Sequence, residues 1–567
     1  MKRTRVLIIV LTMAATAAGQ TLPSQVPSND EIRRILVERV DARHQSVGIV
    51  VGVIEPSGRR IVAYGQRAKG DARPLDGDTI FEIGSITKVF TSLLLADAVG
   101  RGEAALTDPI AKYLPATVKV PERHGRSITL VDLSTHTSGL PRLPTNFAPK
   151  DMSNPYVDYS VQQMYDFLST YQLTRDIGST WEYSNLGGGL LGHVLARRAG
   201  MDYEALVRAR ITGPLGMTHT SITLSPEMKA RLAPGHTAAL EPAANWDLPT
   251  LAGAGALRSS ANDMLSFLAA AIGAPSSSPL GQAFTTMLAT RRPTGQPGLE
   301  MALGWLAFKD PTSEVIWHNG GTGGYRTWIG YQPRSRTGVV ILTNAATLAG
   351  PDDIGRHLLV PSSPLLQNFP AAPSPPKPRS ETRIDPSVFD RYVGRYQLAP
   401  SVFITISRDG NRFMGQLTGQ PAIEIFAETE KSFFLKVVDA QLTFETDPQN
   451  KAVAVVLHQN GIDQRAVRVE GEPVAPKEIA LDAAVLERYV GTYQIVPGVV
   501  FIITRQGTHL FAQLTGQGPA EIFPSAEREF FYKVVNAQIT FEVEGSGPAA
   551  ALVLHQNGRD QRATRNP

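Results

Sequence analysis

A chain of 567 residues, 42% hydrophobic and 19% charged, has room for several folding units with ordinary buried cores and falls outside the disordered and membrane-embedded composition ranges. It contains no cysteine, which excludes disulfides, structural cysteine-zinc sites and thiol nucleophiles together. The formal charge of +3 falls to zero without Lys2, Arg3 and Arg5, so charge does not point to nucleic acid as a partner.

Met1-Lys2-Arg3-Thr4-Arg5 supplies a basic start, Val6 to Leu11 an apolar run, and Ala14 to Gly19 a string of small residues, which is the order of a secretory signal peptide over residues 1–19. The apolar run is well short of the roughly 20 residues that span a bilayer. Cleavage is expected, leaving a secreted or periplasmic chain with no transmembrane span. Residues 30–360 then mix amphipathic helical patterns with short apolar strands. Val47 to Ile54 and Thr337 to Thr343 read as strands, Ser85 to Val99 and Ala261 to Ile272 as helices. The fold class is α+β, an antiparallel sheet with flanking helices, whose first and last strands are expected to be neighbours.

Three segments of this region carry chemistry. Ser85-Ile86-Thr87-Lys88 opens an apolar helix, so Ser85 and Lys88, three residues apart, share a face. The helix start also directs unsatisfied N–H groups at incoming negative charge. A nucleophile needs both a proton acceptor and an oxyanion donor, and this arrangement offers both. Tyr183-Ser184-Asn185 places a phenol and an amide two residues apart before Gly187-Gly188-Gly189, and a phenol beside an ammonium can pass a proton to a leaving group. Trp317-His318-Asn319-Gly320-Gly321 ends an apolar run that reads as an edge strand, and its glycines would let a substrate backbone approach closely. Each segment alone also reads as ordinary structure: a helix cap with a solvated lysine, a loop with Asn185 as the cap, and a hairpin turn.

Seven prolines between Pro361 and Pro378 then favour extended conformations, and residues 361–384 are read as a semi-rigid linker. Beyond it the chain repeats itself at a constant offset of 97 residues: Tyr392-Val393-Gly394 recurs at Tyr489, Gln416-Leu417-Thr418 at Gln513, and Leu457-His458-Gln459 at Leu554. Residues 385–470 and 480–567 are thus one unit in tandem, joined near Pro473 and Pro476. Alternating runs such as Gln441-Leu442-Thr443-Phe444-Glu445 predict a small all-β, barrel-like fold for each.

The S-x-x-K, Y-x-N and H-x-G segments, in that order and at those separations, resemble the three-motif active site of serine β-lactamases and penicillin-binding proteins. Further segments resemble the class C and serine-esterase branch: Thr135-His136-Thr137-Ser138-Gly139-Leu140-Pro141, Pro214-Leu215-Gly216-Met217, Gly255 to Asp263 and Leu303-Gly304-Trp305, and the tandem repeats resemble barrel domains appended to some members, including the D-aminopeptidase branch. The resemblance implies that Ser85 is acylated, Lys88 is the general base and Tyr183 the proton shuttle. It further implies that Asn185 contacts the amine and the substrate amide, that the N–H groups of Ser85 and Gly321 form an oxyanion hole, and that His318, with Gly320 beside it, binds the acyl substrate. One departure stands out, because His318 replaces the lysine of class C β-lactamases and a histidine is mostly neutral near pH 7. Weaker recognition of a carboxylate through that residue follows, which favours an esterase or D-peptidase over an efficient β-lactamase. The implied substrates are esters, small or D-amino-acid peptides, or β-lactams. The competing reading is a penicillin- or peptidoglycan-binding sensor that captures ligands without efficient turnover, with the repeats as candidates for contact with cell wall. No cofactor or metal is called for. The sequence shows neither the G-x-S-x-G elbow of an α/β-hydrolase nor the H-E-x-x-H of a zinc protease.

Overall fold

The computed structural model describes residues 26–566, apart from 274–276, 297, 310–312, 368, 370–378, 400–401, 419–421, 437–439, 460–461, 470–477, 497–498, 515–519, 533–536, 544, 546 and 557–558. The expected leader at 1–19, most of the linker prolines, and the join at Pro473 and Pro476 lie outside those residues. Among the described residues no helix is long and apolar enough to cross a membrane.

Helix α1 (Asn29–Val37) opens the first unit with a capping box, in which the Glu31 N–H donates to the Ser28 hydroxyl and the Ser28 N–H donates to the Glu31 carboxylate. Strands β1 (Gly48–Glu55) and β2 (Gly58–Gly65) form a hairpin. Strand β3 (Ile80–Glu82) leads to α2 (Thr87–Gly100), and α3 (Asn185–Ala199) follows much later in the chain. Strand β4 (Arg258–Ser260) pairs with β3 and runs into α4 (Ala261–Gly273) and α5 (Pro279–Ala289). The chain then supplies β5 (Arg292–Pro293), β6 (Leu299–Met301), β7 (Leu306–Lys309), β8 (Glu314–Gly321), β9 (Arg326–Gln332), β10 (Thr337–Thr343) and α6 (Asp352–Leu359).

These strands make one eight-stranded antiparallel sheet in the order β2-β1-β10-β9-β8-β7-β6-β5. The first and last long strands are neighbours, with Ile49 opposite Thr343 and Ile54 opposite Gly338. Alternation sends the side chains of β1 to two different cores. Val50 packs with α2 and α4 on one face, while Ile49, Val51 and Val53 pack with α1 and α6 on the other. A strand covered on both sides reads as a continuous apolar run, as β1 does. Helix α2 is buried from Thr87 to Ala98, so it runs through the middle of the larger core rather than along a surface, and Phe90 stacks on Phe267 at 4.4 Å.

The expected edge strand, β8, is interior over its first half. Its partner β7 pairs only from Glu314 to Trp317, whereas β9 pairs as far as Gly321, so the edge is open from His318 onward. The described ends of the proline-rich stretch lie against the units that they adjoin. The Leu366 N–H donates to Asp353, and Phe369 sits under the Arg39 guanidinium at 4.5 Å. On the other side Arg379 pairs with Glu428 at 2.9 Å and the Thr382 N–H donates to the Ala427 carbonyl.

The second repeat is a closed eight-stranded barrel from Gly491–Val496 to Arg559–Arg565. The first has the same strand order, but the strand equivalent to Ala520–Pro524 is broken into Ile423–Glu424 and Phe426–Ala427, which leaves a barrel-like sheet of nine segments. Each repeat has its own aromatic core. Tyr392 stacks on Phe444 at 4.4 Å, and Tyr489 on Phe541 at 4.5 Å. The buried Tyr396 hydroxyl donates to the Tyr392 carbonyl at 2.6 Å, and the Tyr493 hydroxyl to the Tyr489 carbonyl at 2.8 Å. Equal geometry in the two copies predicts equal cost: Tyr396→Phe and Tyr493→Phe should each lose about 1 kcal/mol in denaturant unfolding. A cost confined to one copy would show that the two hydroxyls are not equivalent.

Candidate active site

Ser85 lies in a single 3-10 turn, Gly84–Ile86, immediately before α2 rather than in the first turn of that helix. The turn is docked on β8 by an approach that only glycine permits. Gly84 has φ +51°, and a β-carbon there would lie 2.7 Å from the Gly321 nitrogen. A β-carbon on Gly320 would lie 2.0 Å from the Ile83 carbonyl oxygen, which accepts a hydrogen bond from the Thr327 hydroxyl at 3.0 Å. The backbone N–H of Gly321 is thereby brought beside the start of the Ser85 turn.

Lys88 is fully buried at the start of α2, with its amine 3.1 Å from Ser85 Oγ, 2.9 Å from Asn185 Oδ1 and 2.6 Å from the Ala254 carbonyl oxygen. Two of these neighbours can only accept. A neutral amine has two hydrogens and one lone pair, so donation to Asn185 and Ala254 leaves the lone pair facing the Ser85 hydroxyl. Burial, reinforced by the charge of Arg142, holds the Lys88 amine well below the usual lysine range, which favours that neutral form. Gly188 makes room for the lysine stem, since a β-carbon there would lie 2.9 Å from Lys88 Cε.

Tyr183 and Asn185 are held by the segment Thr135 to Arg142, whose early part the sequence singled out without a role. The Glu182 N–H donates to the His136 carbonyl, the Ser184 N–H to His136 Nδ1, the Ser184 hydroxyl to the Pro141 carbonyl and the Asn185 N–H to the Arg142 carbonyl. Ser184, not Asn185, caps α3, accepting from the Gly187 N–H at 2.8 Å. Asn185 is therefore free to receive Lys88 on its oxygen and to donate from its nitrogen to the Tyr156 hydroxyl at 3.1 Å. Burial pushes the Tyr183 phenol up to about 12, with the Ser85 side chain close enough to pull weakly the other way, so it stays protonated near neutral pH. The Lys88 amine lies 4.8 Å and the Arg142 guanidinium 5.1 Å from the centre of its ring.

His318 is buried on the same side of β8, with its ring centre 6.3 Å from that of Tyr183. Its Nδ1–H donates to the Asn319 carbonyl at 2.6 Å, and burial, together with the neighbouring Lys88, lowers its pKa to about 4. Neutral at physiological pH, it presents beneath the site an Nε2 acceptor that has no partner among the described residues.

The resulting cleft, about 450 Å³, is lined by Ser85, Tyr183, Asn185, Gly320 and Gly321 together with Arg142, Tyr156, Trp246, Asn319, Thr322 and Arg326. Lys88 and His318 lie below its surface. A larger depression of about 730 Å³, bounded by Val26 to Asn29, Glu31, Glu55, Arg60 and Pro361, lies by α1 and carries no nucleophile poised like Ser85. Sequence reasoning missed Arg142, Tyr156, Trp246 and Arg326. Only Arg142 had a local signal, since it directly follows Gly139-Leu140-Pro141. Among the described residues no group of three or more His, Cys, Asp or Glu could hold a metal ion.

An antiparallel sheet flanked by helices, with a serine and lysine at the head of a buried central helix, is the β-lactamase/transpeptidase-like fold. Residues 32–360 match the Beta-lactamase family, and the chain belongs to it. Residues 378–470 and 475–565 each match a domain of unknown function, DUF3471. The chain is 31% identical over 318 residues to the D-alanyl-D-alanine-carboxypeptidase/endopeptidase AmpH of Escherichia coli (strain K12), which covers 53% of this chain and 80% of that protein. It is 25% identical over 461 residues to Penicillin-binding protein 4* of Bacillus subtilis (strain 168), covering 77% and 98% respectively. A solved structure of a β-lactamase/D-alanine carboxypeptidase from Pseudomonas syringae shares the fold, with a TM-score of 0.52 at 22% identity over 60% of this chain and 100% of that one.

An amine held in this way should activate Ser85 at modest pH. Labelling of Ser85 by an uncharged organophosphonate is expected to rise with pH through one inflection well below the usual lysine range and then level off. Lys88→Arg, which cannot give up its proton, should show no such plateau.

Proposed function

We propose that this chain is an exported acyl-serine hydrolase that acts on esters and on small peptides, D-amino-acid peptides among them, through an acyl-enzyme on Ser85. The observation that carries the proposal is the position of the Lys88 amine, within hydrogen-bond distance of Ser85 Oγ, Asn185 Oδ1 and the Ala254 carbonyl oxygen, so that the neutral form, donating to the latter two, turns its lone pair to Ser85. The similarity to a carboxypeptidase/endopeptidase supports the peptide substrates, and the basic, apolar leader supports export.

In the acylation step the Ser85 proton moves to Lys88 as the Oγ–carbon bond forms. The oxyanion that develops is met by the N–H groups of Ser85 and Gly321, a kind of contact worth about 10²–10³ in rate per donor. When the tetrahedral adduct collapses, the bond to the leaving group breaks and that group takes the Tyr183 proton, which Lys88 replaces. A phenol whose pKa stands at about 12 suits this task, because it holds a proton to give rather than serving as a phenolate base. Water then attacks the acyl-enzyme, giving its proton through the same pair, and Ser85 is released. His318, neutral and beneath the cleft, orients Tyr183 and the acyl group without contributing charge.

Two measurements test this reading. Intact-mass spectrometry after exposure to p-nitrophenyl acetate, a penicillin and a D-alanyl p-nitroanilide should show a Ser85 adduct or turnover that disappears in Ser85→Ala. An adduct that persists without turnover would instead indicate ligand capture. Tyr183→Phe should cost on the order of 10²–10⁴ in kcat/KM on the anilide, whose amine must be protonated to leave, and about tenfold or less on the nitrophenyl ester. Equal losses on both substrates would remove Tyr183 from the role of proton donor.

A further inference from the structure

The cleft is unbalanced in charge. Two guanidiniums, Arg142 and Arg326, line it above the buried Lys88, and no aspartate or glutamate is among its lining residues. Arg326 is committed to the protein, since one of its terminal nitrogens donates to the carbonyls of Thr322 and Tyr325 at 3.0 and 3.1 Å. Arg142 differs. Its backbone is anchored, because its carbonyl accepts from the N–H groups of Asn185 and Leu186 at 3.0 and 3.1 Å. Its side chain is exposed, lies over the Tyr183 ring, and among the described residues forms no ion pair. A planar fork of donors held at the rim of a cleft, beside the reacting groups and with no internal acid, matches the bidentate geometry of a carboxylate.

We propose that Arg142 is the receptor for a free carboxylate on the substrate, which makes acid-bearing esters and peptides the preferred class. The inference rests on the acyl-serine reading of the same cleft. It also supplies what His318 cannot, since the neutral imidazole has no charge to offer an acid. A carboxylate docked at Arg142 further cancels the positive charge that weighs on Lys88, so binding of the acid and basicity of the amine rise together.

The acid could be carried by the leaving group or by the acyl group, and matched ester pairs separate the two. The acetate ester of 3-hydroxybenzoic acid is compared with phenyl acetate, and the p-nitrophenyl half-ester of adipic acid with p-nitrophenyl hexanoate. The full-length protein is expected to prefer the acid member of one pair by about tenfold or more in kcat/KM, mainly through KM, and that pair names the end of the substrate that Arg142 holds. Arg142→Gln should reduce this preference by about tenfold, whatever happens to the absolute rates. Arg142→Lys, which keeps the charge but not the fork, should retain part of it, and Arg326→Gln should retain most of it. The proposal is overturned if the wild type prefers neither acid, if Arg142→Gln keeps the preference, or if Arg326→Gln alone removes it. Ser85-dependent turnover of the neutral esters is the control. Its absence from the wild type would sink the acyl-serine reading, whereas its presence without acid preference would sink only the role of Arg142.

Discussion

The active region depends on one buried amine. Lys88 can serve as a base only in its uncharged form, and burial at the head of a central helix favours that form by making the ammonium costly. Burial alone would leave the amine free to turn. Asn185 from the start of α3 and the Ala254 carbonyl from a third segment hold its hydrogens, and the lone pair is left pointing at the serine. Much of the surrounding architecture serves these contacts, including Gly188, which admits the lysine stem, and Ser184, which caps α3 so that Asn185 does not have to.

A second constraint is the close contact of two backbones. The proposed oxyanion hole, made of the Ser85 and Gly321 N–H groups, requires the Ser85 turn to lie against the open end of β8. Gly84 and Gly320 permit the contact, and the failure of β7 to pair beyond Trp317 keeps that end of the sheet uncovered. The sheet is thus closed where β1 meets β10 and open where the chemistry is. The tandem repeats are built on other terms, as antiparallel barrel-like sheets around their own aromatic cores, each with the same tyrosine hydroxyl donating to a carbonyl four residues earlier.

Several features of the fold were legible from local pattern. The apolar runs of β1 and β10, the buried helix after Ser85 and the alternation in the repeats all reflect burial, which each segment records in its own composition. The 97-residue offset recorded the duplication directly. The status of β8 was not legible, because whether a strand is an edge depends on where its neighbour stops. Nor was the cap of α3, since Ser184 and Asn185 are both good caps and only the position of Lys88 decides between them.

By itself the sequence determined the class: an α+β unit with a serine and lysine one helical turn apart, a tyrosine and asparagine two apart, and a histidine-glycine strand end, followed by a duplicated β unit. Those are properties of spacing, and spacing is local. Only the tertiary structure decided that the Lys88 amine lies between Ser85, Asn185 and Ala254, that His318 lies neutral under the cleft, and that Arg142 stands at the rim with no ion pair among the described residues. Protonation and charge balance depend on which groups lie within a few ångströms of one another, and in this protein those groups come from segments separated by tens to hundreds of residues.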